Sequence, residues 1–153
     1  PAAWMLPQGF IEGTKTWPQD GEIDLMEARG RIPQAIGSAI HFANSNNSHQ
    51  YISHEVSVPM NVNFQDKFHS VTFKWTEDNI EMYLDTNNEP FYSEGKNSAA
   101  FNNANYPFNS QFYLLLNFLF YHLKVHAMKQ HPYFLSNLPS FQLFYPLNSQ
   151  QLL

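Results

Sequence analysis

The chain has 153 residues, 43% of them hydrophobic and 16% aromatic, which is enough apolar material for one domain with its own core and too much for a disordered segment. Eight Lys and Arg stand against thirteen Asp and Glu for a formal net charge of −5; the basic residues are scattered, so no basic stripe exists to hold phosphates and nucleic acid is not an expected partner. There is no cysteine, which removes disulfides and thiolate chemistry without fixing a compartment.

In chain order, Pro1-Ala2-Ala3-Trp4-Met5-Leu6-Pro7 has neither a basic segment nor an initiating Met, so it reads as neither a signal peptide nor a natural start, and the chain reads as a fragment. Glu22 to Glu27 lies between the turn-formers Pro18-Gln19-Asp20-Gly21 and Arg29-Gly30 and has the length of one strand. Ala35 to Phe42 predicts a second strand. Tyr51 to Val58 predicts a third, with Tyr51, Ser53, Glu55 and Ser57 alternating against Ile52, His54, Val56 and Val58 as in a half-buried strand. Phe68 to Trp75 and Asn79 to Asp85 predict a hairpin turning at Thr76-Glu77-Asp78, with Val71, Phe73 and Trp75 on one face. Phe112 to Asn117 is almost wholly apolar and predicts a strand buried on both faces. Beyond Phe118 no period is legible, and Pro132, Pro139 and Pro146 break any long element. Short aromatic and β-branched runs between Gly and Asn clusters predict an all-β sandwich with few helices. No run reaches the roughly 18 apolar residues of a membrane span; the nearest, Phe112 to Tyr121, is interrupted by Asn117, so no membrane partner is expected.

Three carboxylates fall within six residues of an otherwise apolar strand, where like charges raise one another's pKa. In a regular strand Glu22 and Asp24 share a face and Glu27 points away. A β-bulge at Leu25-Met26 would re-aim Glu27 onto the face of the other two, and bulges are enriched beside active sites. Two carboxyl groups flanking a glycosidic bond, about 5 to 5.5 Å apart, are what retaining glycoside hydrolysis requires. That pattern suits Glu22 as nucleophile, Glu27 as general acid and then base, and Asp24 between them as tuner. The plain alternative is a solvated acidic edge strand, but Ile23, Leu25 and Met26 are too apolar for an exposed edge.

Trp17-Pro18-Gln19-Asp20-Gly21-Glu22-Ile23-Asp24-Leu25-Met26-Glu27 resembles the signature of family 16 glycoside hydrolases, in the longer form of the bulged, laminarinase-like branch. The Pro1 to Pro7 segment, Phe68 to Thr76 and Pro107 to Asn117 look like neighbouring core strands of that family, so the resemblance covers roughly residues 1–118. It implies a jelly-roll β-sandwich of the concanavalin A-like type with an open cleft. It also implies endo-acting, retaining cleavage of β-1,3- or mixed β-1,3-1,4-glucans by Glu22, Asp24 and Glu27. Trp17 and Trp4 fall where the family places aromatics near the cleaved sugar, and an indole face stacks well on a pyranose. His41 and Arg29 are candidates to hydrogen-bond sugar hydroxyls or orient a carboxylate, and Asn117 is a candidate cleft hydrogen-bonder; a structural His, a solvated Arg and a buried strand Asn are the alternatives.

Relative to the family, strands before Trp4 and a glycine-rich turn with a closing strand after Asn117 are missing, so the sandwich is expected to be incomplete at both ends. Residues 1–118 then form a partial catalytic domain and residues 119–153 a divergent tail, as though the reading frame or splice left the family there. The expected partner is a β-glucan, the expected state a monomer. The mechanism needs no cofactor, and no zinc-type ligand spacing is present. The resemblance implies an extracellular protein, to which the sequon Asn46-Asn47-Ser48 adds a little. Two other readings stay open: a β-glucan-binding protein that does not cut, and an inactive truncated gene product. Agar or carrageenan as substrate stays open too.

Overall fold

The structure is a computed structural model that describes residues 1–60 and 62–118, together with the backbone of Phe141–Tyr145. Among the described residues nine strands carry the fold: β1 (Ala2–Pro7), β2 (Glu22–Ala28), β3 (Ala35–Ala43), β4 (His49–Ser57), β5 (His69–Trp75), β6 (Asn79–Leu84), β7 (Tyr92–Gly95), β8 (Phe112–Asn117) and β9 (Phe141–Tyr145). They pair antiparallel in two sheets, one ordered β4-β3-β2-β1-β8 and the other β7-β6-β5-β9. Helix is confined, among the described residues, to Gln8–Ile11 and two short 3-10 turns. The all-β sandwich expected from the sequence is therefore what forms.

The sheets face each other across one apolar core. From the first come Ala3, Met5, Ile23, Leu25, Met26, Ile36, Ile40 and Phe42; from the second Val71, Phe73, Ile80, Met82 and Tyr92. The alternation of β5 and β6 explains this side of the core, since every second residue of a strand turns to the same face. Val71, Phe73 and Trp75 share the inner face as predicted, and Trp75 fixes its indole by donating from Nε1 to the Phe108 carbonyl at 2.8 Å. Tyr92 ties the layers together, its hydroxyl donating to the Ile52 carbonyl at 3.3 Å.

One expectation is corrected and one open stretch gains an element. Phe112–Asn117 is not buried on both faces: among the described residues it is the outer strand of its sheet, Phe112 alone is fully buried, and Leu116 is 59% exposed. Its apolar run reflects contact with the core at one end only. Phe141–Tyr145, in the stretch where no period was legible, forms β9 and pairs with β5 from His69↔Tyr145 to Phe73↔Phe141. The rest of residues 119–153 lies outside the described residues, so the expectation of a divergent tail is not addressed there.

Candidate active site

The outer face of the five-stranded sheet carries the carboxylates. Pairing of β2 with β3 runs Glu22↔His41 and Asp24↔Ala39, then jumps to Glu27↔Gly37, three steps on β2 against two on β3. The same strand jumps against β1, from Trp4↔Asp24 to Ala3↔Met26. This is the bulge predicted at Leu25-Met26. Both of those residues turn inward, at 1% and 5% exposure, and Glu27 consequently joins Glu22 and Asp24 on the outer face.

Cross-strand pairing lays the outer face out in rows. One runs Tyr51, His41, Glu22; the next Ser53, Ala39, Asp24, Trp4, Leu115; the third Glu55, Gly37, Glu27, Ala2, Asn117. Glu27 therefore has Gly37 on one side and Ala2 on the other, and Asp24 has Ala39. Small residues flanking the carboxylates leave an open floor on which a sugar ring could rest.

Each carboxylate has its own environment. Asp24 is 4% exposed and its Oδ2 lies 2.9 Å from His41 Nε2. Glu22 is half-buried and its Oε2 accepts from the Trp17 indole Nε1 at 2.6 Å. Burial first, and then the negative charge of Asp24, push the Glu22 carboxyl up to about 7, while His41 and the Trp17 hydrogen bond pull the other way. Glu27 opens to solvent, yet partial burial is the largest influence raising its carboxyl; the charge of Asp24 adds to that, and His41 and Arg29 oppose it. Burial alone would lower His41, but its hydrogen bond to Asp24 and the charges of Asp24, Glu22 and Glu27 outweigh that and raise it.

The loop before β2 is built to present Trp17. Asp20 folds back on it, accepting from Thr16 N and Lys15 Nζ at 2.8 Å each. Gly21 then turns the chain with φ +90°; a Cβ there would also lie 2.8 Å from the Phe108 ring, so only glycine suits the step into Glu22. Beside Trp17 stand His49, at 4.7 Å between ring centroids, and His41, at 6.4 Å; His41 stacks on both His49 and Tyr51. His41 Nδ1 and His49 Nε2 are 2.8 Å apart.

Of the residues picked from sequence, Glu22, Asp24, Glu27, Trp17 and His41 come together. Trp4 shares the Asp24 row and donates from Nε1 to Asn117 Oδ1 at 3.1 Å, which places both at the β1–β8 side of the groove. Arg29 does not reach Glu22, Asp24 or Glu27; it pairs with Glu55 at the far end of the Glu27 row. His69 and Trp75 are structural, His69 bonding Asp85 at 2.8 Å. His49, Asp20 and Gly37 were not singled out from sequence, and only Tyr51 and Glu55 had a legible signal, the polar face of the β4 alternation. Glu22, Asp24 and His41 also offer three ligand atoms within 4.8 Å of one another, the spacing of a cation site. In this structure Asp24 Oδ2 lies against His41 Nε2, and Glu22 Oε2 accepts from the Trp17 indole.

Comparison with known proteins gives a consistent result. The model of glycosyl hydrolases family 16 matches residues 2–119. Glucan endo-1,3-beta-glucosidase A1 of Niallia circulans is 39% identical over 123 residues, covering 76% of this chain and 17% of that protein. Glucan endo-1,3-beta-glucosidase of Cryptopygus antarcticus is 33% identical over 122 residues, covering 76% of this chain and 43% of that protein. The X-ray structure of endo-beta-1,3-glucanase from Pyrococcus furiosus superposes with a TM-score of 0.61 at 28% identity, covering 74% of this chain and 42% of that one. The chain thus spans less than half the length of each.

Proposed function

Because the chain belongs to glycosyl hydrolase family 16, we propose that its groove hydrolyses internal bonds of β-1,3-glucans, or of mixed β-1,3-1,4-glucans, by a retaining double displacement. The observation that carries this reading is the bulge that brings Glu22, Asp24 and Glu27 onto one open face.

In the first step the Glu22 carboxylate attacks the anomeric carbon while Glu27 gives its proton to the departing glycosidic oxygen; the C–O bond to the leaving sugar breaks and a glycosyl ester on Glu22 forms. In the second step Glu27, now a carboxylate, takes a proton from water as that water attacks the anomeric carbon. The ester breaks, Glu22 is released as carboxylate and Glu27 is again an acid. Trp17 supports the charge on Glu22 at its start and end states through the indole N–H. Burial first, and then the charge of Asp24, raise Glu27, which favours the protonated form that the first step needs, while Asp24 is held by His41. The indole of Trp17, 44% exposed, offers a face on which the sugar stacks. All of these groups come from one chain, so the reading needs no second subunit. A polymer of this kind is met outside the cell, so we place the reaction there; recovery of the protein only from cytosol would contradict that placement.

The test is reducing-sugar release from laminarin by the chain and by Glu22→Gln, which removes the nucleophile at nearly constant volume. Release by the first and not by the second supports the reading. Equal release by both, or none from laminarin, lichenan or agarose by the unmodified chain, overturns it; tight binding of laminarin without cleavage would replace it with a glucan-binding role.

A further inference from the structure

One buried hydroxyl is left unused by the chemistry above. Ser38 lies on β3 between Gly37 and Ala39, the partners of Glu27 and Asp24. It is the one residue opposed by two, because the bulge leaves Leu25 and Met26 together across from it. Its side chain points into the core between Ile36 and Ile40, at 1% exposure, and it is the only fully buried serine or threonine among the described residues. A hydroxyl in such a place is costly unless bonded. Ser38 Oγ donates to the carbonyl of Leu25, the first residue of the bulge, at 2.8 Å.

We propose that Ser38 is a positioning residue for the acid/base step, its hydroxyl pinning the Leu25 carbonyl so that the bulge holds Glu27 aimed into the groove. The geometry explains why a polar side chain interrupts the apolar inner face of β3. Regular alternation would put Leu25 inward, Met26 outward and Glu27 into the core. The extra residue prevents that, and a bulged ladder needs a partner from the facing strand to hold its backbone in one place. Alanine at 38 keeps the volume nearly unchanged and removes only that tie. Glu27 then samples more orientations, toward Glu22 and Asp24 and away from them. Threonine restores the hydroxyl on a residue that suits a strand.

This inference rests on Glu27 being the acid/base, and its test separates the two. Laminarin has a poor leaving group and needs a proton from Glu27; a 2,4-dinitrophenyl β-glycoside of laminaribiose leaves without one. For Ser38→Ala the expected result is a fall of at least about tenfold in kcat on laminarin with KM little changed, a much smaller fall in the glycosylation rate of the dinitrophenyl substrate, and recovery in Ser38→Thr. The second readout needs no activity. Carbon-13 NMR of the Glu27 carboxyl should show its titration moving down toward that of an ordinary glutamate in Ser38→Ala, while Ser38→Thr stays with the unmodified chain. An equal loss on both substrates, or a Glu27 titration unchanged in Ser38→Ala, would overturn the proposal. A chain inactive on both substrates would count against the proposed function, and the Glu27 titration would then decide the positioning role by itself.

Discussion

The indole N–H of Trp17 reaches Oε2 of Glu22 at 2.6 Å from a residue five positions earlier in the chain, on a loop that Asp20 closes. A hydrogen bond to a carboxylate favours its charged form, so this contact acts against the burial and the Asp24 charge that raise Glu22. Trp17→Phe removes the donor and keeps an aromatic face. The expected outcome is a loss of about tenfold in kcat/KM, corresponding to about 1.4 kcal/mol of a charged hydrogen bond. The acid limb expected in the kcat/KM profile follows Glu22, whose carboxyl is pushed up to about 7, and should move to higher pH. A limb that stays in place would mean that Trp17 acts only by stacking.

Asp24→Asn should move the same limb the other way. The Asp24 charge raises both Glu22 and Glu27, so its removal lets both carboxyls fall toward ordinary values. Activity then extends to lower pH on the acid side and fails earlier on the basic side, because Glu27 loses its proton sooner. His41, raised by Asp24, should titrate lower as well, which proton NMR of the imidazole reads directly.

Stability carries the opposite sign from activity at Glu22. Its carboxyl is held near 7 in the folded chain against an ordinary value of 4.5, so protonated Glu22 favours the fold. That contribution is complete below pH 4.5 and is lost as pH rises through about 7. Gln has no such loss. Glu22→Gln should therefore melt higher than the unmodified chain at pH 8 and close to it at pH 4, while abolishing hydrolysis. A lower melting temperature at pH 8 would show that the Trp17 and His41 contacts with Glu22 outweigh its burial.

Gly37, beside Glu27 on the groove floor, tests whether substrate crosses that floor. A Cβ at Gly37 would meet Glu55 Cγ at 3.6 Å and the His54 carbonyl at 3.7 Å, both ordinary contacts, and its φ needs no glycine. Gly37→Ala should fold with an unchanged or slightly higher melting temperature, yet raise KM for laminarin severalfold; Gly37→Val should raise it further. An unchanged KM in both would place the glucan elsewhere.

Much of this was legible in the sequence because the signals are local. Alternation marked β4 and one face of β5, and three acidic side chains on an apolar strand called for a bulge at Leu25-Met26, which is where the pairing jumps. Where partners are distant, sequence was silent. His49 stacks on His41 and lies tilted against Trp17 only because a β3–β4 hairpin returns it there, and the Ser38 bond to Leu25 depends on cross-strand register. Phe112–Asn117 misled because an apolar run does not report whether a neighbour lies on each side. Phe141–Tyr145 was missed because the six residues between Pro139 and Pro146 are too few to show a period. Arg29 sat close to the motif in sequence, but its guanidinium is taken by Glu55 across the sheet.

The central claim is that Glu22 forms a covalent bond to the sugar while Glu27 handles the proton. A 2-deoxy-2-fluoro laminaribiosyl donor with a dinitrophenyl leaving group slows both steps but slows glycosylation less, so the intermediate accumulates. Incubation followed by proteolysis and mass spectrometry should find the fluorosugar on the peptide containing Glu22, esterified at that residue. An adduct on Glu27, or steady release of dinitrophenol with no adduct on the chain, would contradict the account.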